Sequence, residues 1–230
     1  MNRRNFIKLA GLGAIAIATP GCGRYIVETV RDQLRKDYEF LFSLGKHIEV
    51  CEMRIGQRSA KGCGIVVDGM YRTMEHIGRV RVNQMFPIFE NVDIYLKGVK
   101  AELIGMEKSN DTALYELPKY KTIPGGRVAL HFEEFPLDRS DDYHLGQLVG
   151  CVGSPAMDGI RVMQGRITDL DGWSGKKGNV GTDMNYIGGD SAGAMVGLED
   201  RVLLGQNSFN LADKQGYFIK QDEWEKLYRN

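Results

Sequence analysis

Hydrophobic side chains recur at helical intervals along one stretch near the start of the chain. This stretch is residues 25–44, with the sequence YIVETVRDQLRKDYEFLFSL. The apolar residues that recur in it are Ile26, Val30, Leu34, Phe40 and Leu41. Recurrence at three to four residues places apolar side chains on one face of a helix. We therefore predict a helix over residues 22–45 that serves as a docking helix or a stalk.

From residue 47 onward the pattern changes to short, β-branched runs separated by glycine. Examples are HIEVCEMRI, GIVVDG, TALYEL, QLVGCVG and RVLLGQNSF. Short runs of this kind predict antiparallel strands that close into a barrel or a sandwich. The last segment, DEWEKLYRN, predicts a short closing helix. Because no repeat or linker interrupts the pattern, residues 46–230 are predicted to form one module.

The first residues have the character of a targeting signal. Arg3 and Arg4 precede an apolar run that is too short to span a bilayer as a helix. The run RRNFIK resembles the twin-arginine signal of bacteria, and a plain secretory peptide is the alternative. We predict an export signal over residues 1–21, and hence a location in the periplasm or cell envelope.

Two ways of processing this signal stay open. The run AIA, ending at Ala18, fits a cleavage site between small residues. The run TPGC, ending at Cys22, resembles a lipoprotein site, although Thr19 stands where leucine is usual. Lipid on Cys22 would attach the protein to a membrane.

Composition adds limits rather than a function. The chain has 230 residues, 43% of them hydrophobic, and its 30 basic residues balance 30 acidic ones. It can bury one good core, or two small ones that share an interface, and it has no excess charge to attract nucleic acid. The cysteine spacing includes no C-x-x-C, so neither a metal nor another cofactor is expected.

Export permits a disulfide without requiring one. Cys51 and Cys63 flank a segment in which Gly56 predicts a hairpin about Gln57. If the register of that hairpin puts the two cysteines opposite each other, they can form a bond. The alternative is that Cys51, Cys63 and Cys151 are all buried free thiols.

Ser191 lies in the sequence GDSAG, which has the G-x-S-x-G spacing of a nucleophile. An α/β-hydrolase with this motif needs an acid and then a histidine after the serine. All four histidines of the chain precede Ser191, at positions 47, 76, 131 and 144. The esterase interpretation therefore fails, and the order histidine, aspartate, serine remains.

Three segments in that order resemble the trypsin-like serine proteases, and among them the HtrA/DegP branch. His76 ends the run GCGIVVDGMYRTMEH, Asp111 begins DTALYEL, and Ser191 lies in TDMNYIGGDSAGAMV. The resemblance spans about residues 47–210 and implies a mainly β fold of two six-stranded antiparallel barrels. It includes no PDZ domain, which is usual in HtrA proteins.

This resemblance implies a catalytic triad and an oxyanion hole. Ser191 would attack the substrate, His76 would be the general base, and Asp111 would orient His76. The amides of Gly189 and Ser191 would face the oxyanion.

The same resemblance implies a set of substrate-binding positions, and it implies a protein or peptide substrate as the partner. These positions are Asn185, Tyr186, Ile187, Gly188, Gln206 and Asn207. No acidic residue is among them, which favours small to medium uncharged side chains before the cleaved bond. The strand near Asn207 would pair with the substrate backbone.

Three positions depart from the family pattern. Met74 and Glu75 replace small residues before His76, and Ala192 replaces a glycine after Ser191. A carboxylate at Glu75 is expected to raise the pKa of His76. The sequence thus predicts an exported serine endopeptidase acting on extended or unfolded proteins. The alternative is an inactive relative that binds polypeptide or acts as an envelope scaffold lipoprotein.

Overall fold

The computed structural model describes residues 22–55, 57–77, 79–81, 89–154, 159–170, 178–186, 190–210 and 216–228. The export signal expected over residues 1–21 lies outside them. The chain divides into two units, Met1–Phe40 and Leu41–Asn230.

Helix α1 (Cys22–Leu44) supplies the described part of the first unit and ends in the second. Its bounds agree with the predicted helix to within one residue. Its last turn begins the core of the second unit: Leu41 is fully buried, and a Cβ at Gly150 would lie 2.5 Å from a methyl group of Leu41. Among the described residues, no helix has the length and apolar character needed to cross a membrane.

Seven antiparallel strands form the first sheet of the second unit, in the order β7-β6-β1-β2-β3-β9-β8. They are β1 (Ile48–Ile55), β2 (Arg58–Val67), β3 (Met70–Met74), β6 (Asp93–Leu96), β7 (Val99–Lys100), β8 (Glu102–Glu107) and β9 (Thr112–Glu116). The two edge strands, β7 and β8, are separated along the chain only by Ala101. The sheet must therefore curl so that its two edge strands approach each other. Because no pairing between the described strands β7 and β8 closes it, we call this curled sheet the half-barrel.

Six further strands form a closed antiparallel barrel in the order β12-β13-β14-β17-β16-β15. They are β12 (Leu148–Gly153), β13 (Arg161–Asp169), β14 (Asn179–Thr182), β15 (Ala194–Gly197), β16 (Val202–Asn210) and β17 (Gly216–Lys220). Strands such as β15 are buried along their whole length. Burial on both faces explains why AMVG, the sequence of β15, is a continuous apolar run rather than an alternating pattern.

Smaller elements complete the unit. Two hairpins pair β4 (Arg79–Arg81) with β5 (Phe89–Asn91), and β10 (Tyr120–Ile123) with β11 (Gly126–Ala129). Short 3-10 turns occupy Gly45–His47 and Glu75–Ile77, and helix α2 (Gln221–Tyr228) follows β17.

Helix α2 is fixed against the half-barrel by both apolar and polar contacts. Trp224 is fully buried in the half-barrel core. The buried guanidinium of Arg72 donates a 2.9 Å hydrogen bond to the side-chain oxygen of Gln221. The predicted closing helix is thus an integral part of the fold.

The predicted mainly β class with antiparallel barrels is confirmed. One barrel is closed and six-stranded, as expected, and the half-barrel has seven strands because Lys97 and Gly98 form a turn that separates β6 from β7.

The disulfide considered between Cys51 and Cys63 does not form. The predicted hairpin is present, with Ile55 opposite Arg58, but its register pairs Cys51 with Gly62 and Cys63 with Val50. Neighbouring positions on a strand point to opposite faces, so the two thiols lie on different sides of the sheet. Cys51, Cys63 and Cys151 are all buried as thiols rather than as disulfides.

Candidate active site

Strand pairing brings His76 and Asp111 together. His76 lies in the 3-10 turn directly after β3, and Asp111 directly precedes β9. These strands are antiparallel neighbours, with Met74 at the end of β3 opposite Thr112 at the start of β9. The residue that follows β3 and the residue that precedes β9 must therefore meet at the same end of this strand pair. The backbone N–H of Glu75 donates to the carbonyl of Asp111 at 3.1 Å, which closes this junction.

The carboxylate of Asp111 is the centre of a hydrogen-bond cluster. Nδ1 of His76 lies 2.9 Å from its Oδ2 and 3.0 Å from its Oδ1. The backbone N–H of His76 donates to Oδ1 at 3.0 Å, and the hydroxyl of Ser208 donates to Oδ2 at 2.6 Å. The carboxylate thus fixes both the backbone and the ring of His76. The outer edge of the ring stays accessible, since the side chain is 45% exposed.

The electrostatics of this pair favour charge on both partners. Burial lowers the pKa of His76, but the hydrogen bond and charge of Asp111 and the charge of Glu75 outweigh it and raise the pKa. Burial raises the pKa of the Asp111 carboxyl, but its bonds to His76 and Ser208 outweigh that effect and lower the pKa. The influence of Glu75 has the predicted direction.

Ser191 reaches the same cluster through Ser208. Its Oγ donates a 2.9 Å hydrogen bond to the backbone carbonyl of Ser208. Ser208 therefore contacts Asp111 with its hydroxyl and Ser191 with its carbonyl. Within the described residues, the hydroxyl of Ser191 donates to this carbonyl rather than to His76.

Ser208 is the functional residue that sequence analysis missed. No role beside Asp111 was predicted for it. The contact joins positions 97 residues apart in sequence. The one available signal was a hydroxyl directly after the predicted substrate-binding position Asn207.

The turn that carries Ser191 is held by backbone bonds to β16. The N–H of Ala192 donates to the carbonyl of Asn207 at 2.7 Å, and the N–H of Asn207 donates to the carbonyl of Gly193 at 2.8 Å. Ala192 has a φ of +66°, in the left-handed region that favours glycine. Gly193 has no room for a side chain, because a Cβ would overlap the carbonyl oxygen of Val152.

The half-barrel also contacts this turn. The thiol of Cys63 on β2 donates to the carbonyl of Ser191 at 3.1 Å. Burial raises the pKa of Cys63 to about 12, so it remains a neutral donor. Ser191 is thus fixed from both sheets.

The predicted substrate-binding side chains are mostly turned inward. Gln206 and Asn207 are fully buried. The amide of Gln206 donates to the carbonyl of Ala192 at 2.8 Å, and the amide of Asn207 donates to the carbonyl of Asp190 at 3.2 Å. These two side chains therefore support the Ser191 turn and do not line a pocket. Their direction follows from the register of β16, which sequence cannot give.

The remaining predicted substrate-binding positions differ in their burial. Tyr186 is buried, with its hydroxyl 3.2 Å from that of Thr182, whereas Asn185 is exposed. The predicted positions Ile187 and Gly188, and the oxyanion-hole position Gly189, lie outside the described residues. In the part of the chain that the structure describes, no cluster of side chains could hold a metal ion.

No protein-family model and no curated protein sequence matches this chain. Solved structures do match in fold. A serine endoprotease from Yersinia pestis has a TM-score of 0.56 at 20% identity, covering 82% of this chain and 67% of its own. The HtrA-type protease AlgW with a tripeptide has a TM-score of 0.56 at 18% identity, covering 80% of this chain and 59% of its own.

A protease from M. tuberculosis in its active form has a TM-score of 0.58 at 19% identity and covers 82% of each chain. The architecture is therefore the trypsin-like fold, in the form found in HtrA-type proteases. The chain spans well under the full length of the first two of these proteins.

Proposed function

We propose that this protein is an exported serine endopeptidase that cleaves peptide bonds in extended or unfolded proteins. The observation that carries the proposal is the cluster around the Asp111 carboxylate. That carboxylate accepts hydrogen bonds from His76 and Ser208, and Ser208 in turn contacts Ser191. A trypsin-like fold in which His76, Asp111 and Ser191 follow one another along the chain suits acyl transfer to a serine.

In the proposed reaction, Asp111 acts through His76. Its bond to Nδ1 favours the tautomer with the proton on Nδ1, which leaves Nε2 free to accept the proton of Ser191. The oxygen of Ser191 then attacks the substrate carbonyl. Proton return from His76 to the amine allows the C–N bond to break and leaves an acyl group on Ser191. Water, deprotonated by the same histidine, releases the acyl group.

Attack requires one rearrangement. The hydroxyl of Ser191 must exchange its 2.9 Å bond to the carbonyl of Ser208 for a bond to His76. Catalytic hydrogen bonds often tighten only when substrate is bound. We propose that a substrate backbone N–H takes over the carbonyl of Ser208 and thereby releases Ser191.

An oxyanion hole formed by the amides of Gly189 and Ser191 is part of the proposal. Such donors are worth about 3–4 kcal/mol each when aimed at the developing charge. The backbone bonds that hold the turn after Ser191 support a fixed direction for its amide.

An extended peptide is the substrate that the surface near Ser208 supports. Strand β15 begins at Ala194, opposite Gln206, so β16 continues beyond the end of its neighbour to Asn210. A strand that outruns its neighbour offers backbone groups for β-addition. The solved structure of the HtrA-type protease AlgW with a tripeptide is consistent with this class of ligand. The proposed substrate carries a small to medium, uncharged side chain before the cleaved bond.

Labelling with a fluorophosphonate probe tests this function. Wild-type protein should gain the mass of one probe on Ser191, and the Ser191→Ala variant should gain none. The intact mass also tests the proposed export, because material from the envelope should lack residues 1–18 or carry lipid on Cys22. Absence of labelling in folded wild-type protein would overturn the protease proposal.

A second candidate is an inactive relative that binds unfolded polypeptide. It is favoured by the bond from Ser191 to the Ser208 carbonyl and by Ala192 in a left-handed conformation. Binding of a permanently unfolded protein without labelling of Ser191 would support it. An envelope scaffold predicts neither labelling nor binding.

A further inference from the structure

Arg161 contacts the chain on both sides of the segment that leads to Ser191. Its Nη1 lies 2.5 Å from Oδ2 of Asp190, and its Nη2 donates to the carbonyl of Asn185 at 3.4 Å. Asn185 and Asp190 bracket residues 187–189, and Asp190 directly precedes Ser191. The guanidinium of Arg161, at the start of β13, thus links Asn185 to Asp190, the residue before Ser191.

The ion pair is formed in a buried place. Asp190 is fully buried, whereas Arg161 is 30% exposed. A buried carboxylate is strongly disfavoured unless a cation and hydrogen bonds compensate for the lost hydration. The inward orientation of Asp190 therefore depends on Arg161.

The position of Asp190 is passed to its neighbours through close backbone contacts. A Cβ at Gly153 would lie 3.1 Å from the Cα of Asp190, so the turn rests directly on the end of β12. The carbonyl of Asp190 accepts bonds from the N–H of Gly193 at 3.1 Å and from the Asn207 amide at 3.2 Å. A displaced Asp190 would shift the backbone that carries Ser191.

We propose that Arg161 is a positioning residue for the nucleophile: by holding the Asp190 side chain inside the barrel, it sets the Ser191 amide and hydroxyl in their reactive places. Arg161 contacts Asp190 and Asn185 rather than Ser191, His76 or Asp111. This inference rests on the proposed protease function and deepens it.

Three variants test the inference through the rate of fluorophosphonate labelling. Arg161→Ala should label Ser191 about 100-fold more slowly, because small misplacements near reacting groups have effects of this size. Millimolar guanidinium chloride should restore part of that rate, since the partly exposed site can admit the free ion. Arg166→Ala is the matched control. Arg166 lies on the same strand and donates to the carbonyl of Gly146, and its loss should leave the rate unchanged.

Arg161→Lys supplies a test that a general loss of stability would not mimic. A lysine ammonium has an ordinary pKa of about 10.4, well below that of a guanidinium, so lysine loses its charge first as the pH rises. Its labelling rate should therefore fall at a lower alkaline pH than that of wild type, while the protein remains folded by circular dichroism. This variant decides the question if Arg161→Ala does not fold.

Two results would overturn the inference alone: labelling of Arg161→Ala at the wild-type rate, or an Arg161→Lys profile identical to that of wild type at all pH values. Failure of wild-type protein to label overturns the protease proposal itself and this inference with it. Two results together support the protease proposal and this inference: Arg161→Ala labels slowly and guanidinium restores part of its rate, and Arg166→Ala labels at the wild-type rate.

Discussion

The hydroxyl of Ser208 donates a 2.6 Å hydrogen bond to the carboxylate of Asp111. The backbone carbonyl of the same serine accepts the hydroxyl of Ser191. The strand that lines the proposed substrate position thus also supports the acid and holds the nucleophile. In the proposed reaction, Ser208 would couple substrate binding to the activation of Ser191.

Ser208→Ala should impair turnover without preventing substrate binding. Loss of a hydrogen bond to a charged group costs about 1.5–3 kcal/mol, or roughly a 10- to 100-fold fall in kcat. The backbone carbonyl remains, so KM should change little. Ser140→Ala is the control, since that hydroxyl accepts a bond from the backbone N–H of Asp142, away from Asp111. An unchanged kcat in Ser208→Ala would remove Ser208 from the site.

Asp111→Asn should fold but lose nearly all activity. The amide fits the same space, but it offers a donor where Nδ1–H of His76 needs an acceptor, so the imidazole takes the wrong tautomer. The expected fall in kcat is about four orders of magnitude, as for the same exchange in a trypsin-like protease.

The matched control for this exchange is Asp93→Asn, which removes a carboxylate paired with Lys100 at 2.6 Å on the surface. It should keep wild-type kcat. Retained activity in Asp111→Asn together with lost activity in Asp93→Asn would assign the acid to Asp93 instead.

Activity should rise with pH through a midpoint above the ordinary histidine value. His76 must be neutral to accept a proton, and its pKa is raised mainly by Asp111 against the opposing effect of burial. Glu75→Ala removes a negative charge that contributes to this increase, so the midpoint of kcat/KM against pH should move down. Glu133→Ala, beside His47, should leave it in place. An unmoved midpoint in Glu75→Ala would show that Glu75 and His76 are not coupled.

Ala192→Gly should stabilise the protein. Ala192 has a φ of +66°, where a side chain costs about 1–2 kcal/mol and glycine is free of that strain. Part of the gain is offset by the greater entropy of glycine in the unfolded chain and by lost packing. We expect the free energy of unfolding in urea to rise by about 0.5–1 kcal/mol.

Ala194→Gly tests whether conformation is the cause. Ala194 is equally buried but lies in β15. Its replacement should lower the free energy of unfolding by about 0.5–1 kcal/mol or more. Equal destabilisation by both exchanges would contradict the strain assigned to Ala192.

Local patterns in the sequence were enough to predict the elements. The helix now bounded by Cys22 and Leu44 follows from its apolar spacing, and the hairpin after β1 from a glycine between two strand patterns. The pairing of His76 with Asp111 came from the resemblance to trypsin-like proteases, whose motifs place each residue beside a recognisable strand.

Features that depend on register or on distant contacts could not be predicted. A one-residue difference in the pairing of β1 with β2 separates Cys51 from Cys63, and local pattern does not fix that choice. The inward direction of Gln206 and Asn207 is likewise set by the closed barrel. Ser208 joins Asp111 only because two sheets meet there, which no spacing along the chain encodes.

The central claim is that Ser191 is a nucleophile activated by His76 and Asp111. Its most direct measurement is the rate of fluorophosphonate labelling, followed by intact mass, for wild type and for the Ser191→Ala, His76→Ala and Asp111→Asn variants. The account predicts one probe on wild type, none on Ser191→Ala, and strongly slowed labelling of the other two. Folded wild-type protein that takes up no probe, or a Ser191→Ala variant that labels as wild type does, would contradict it.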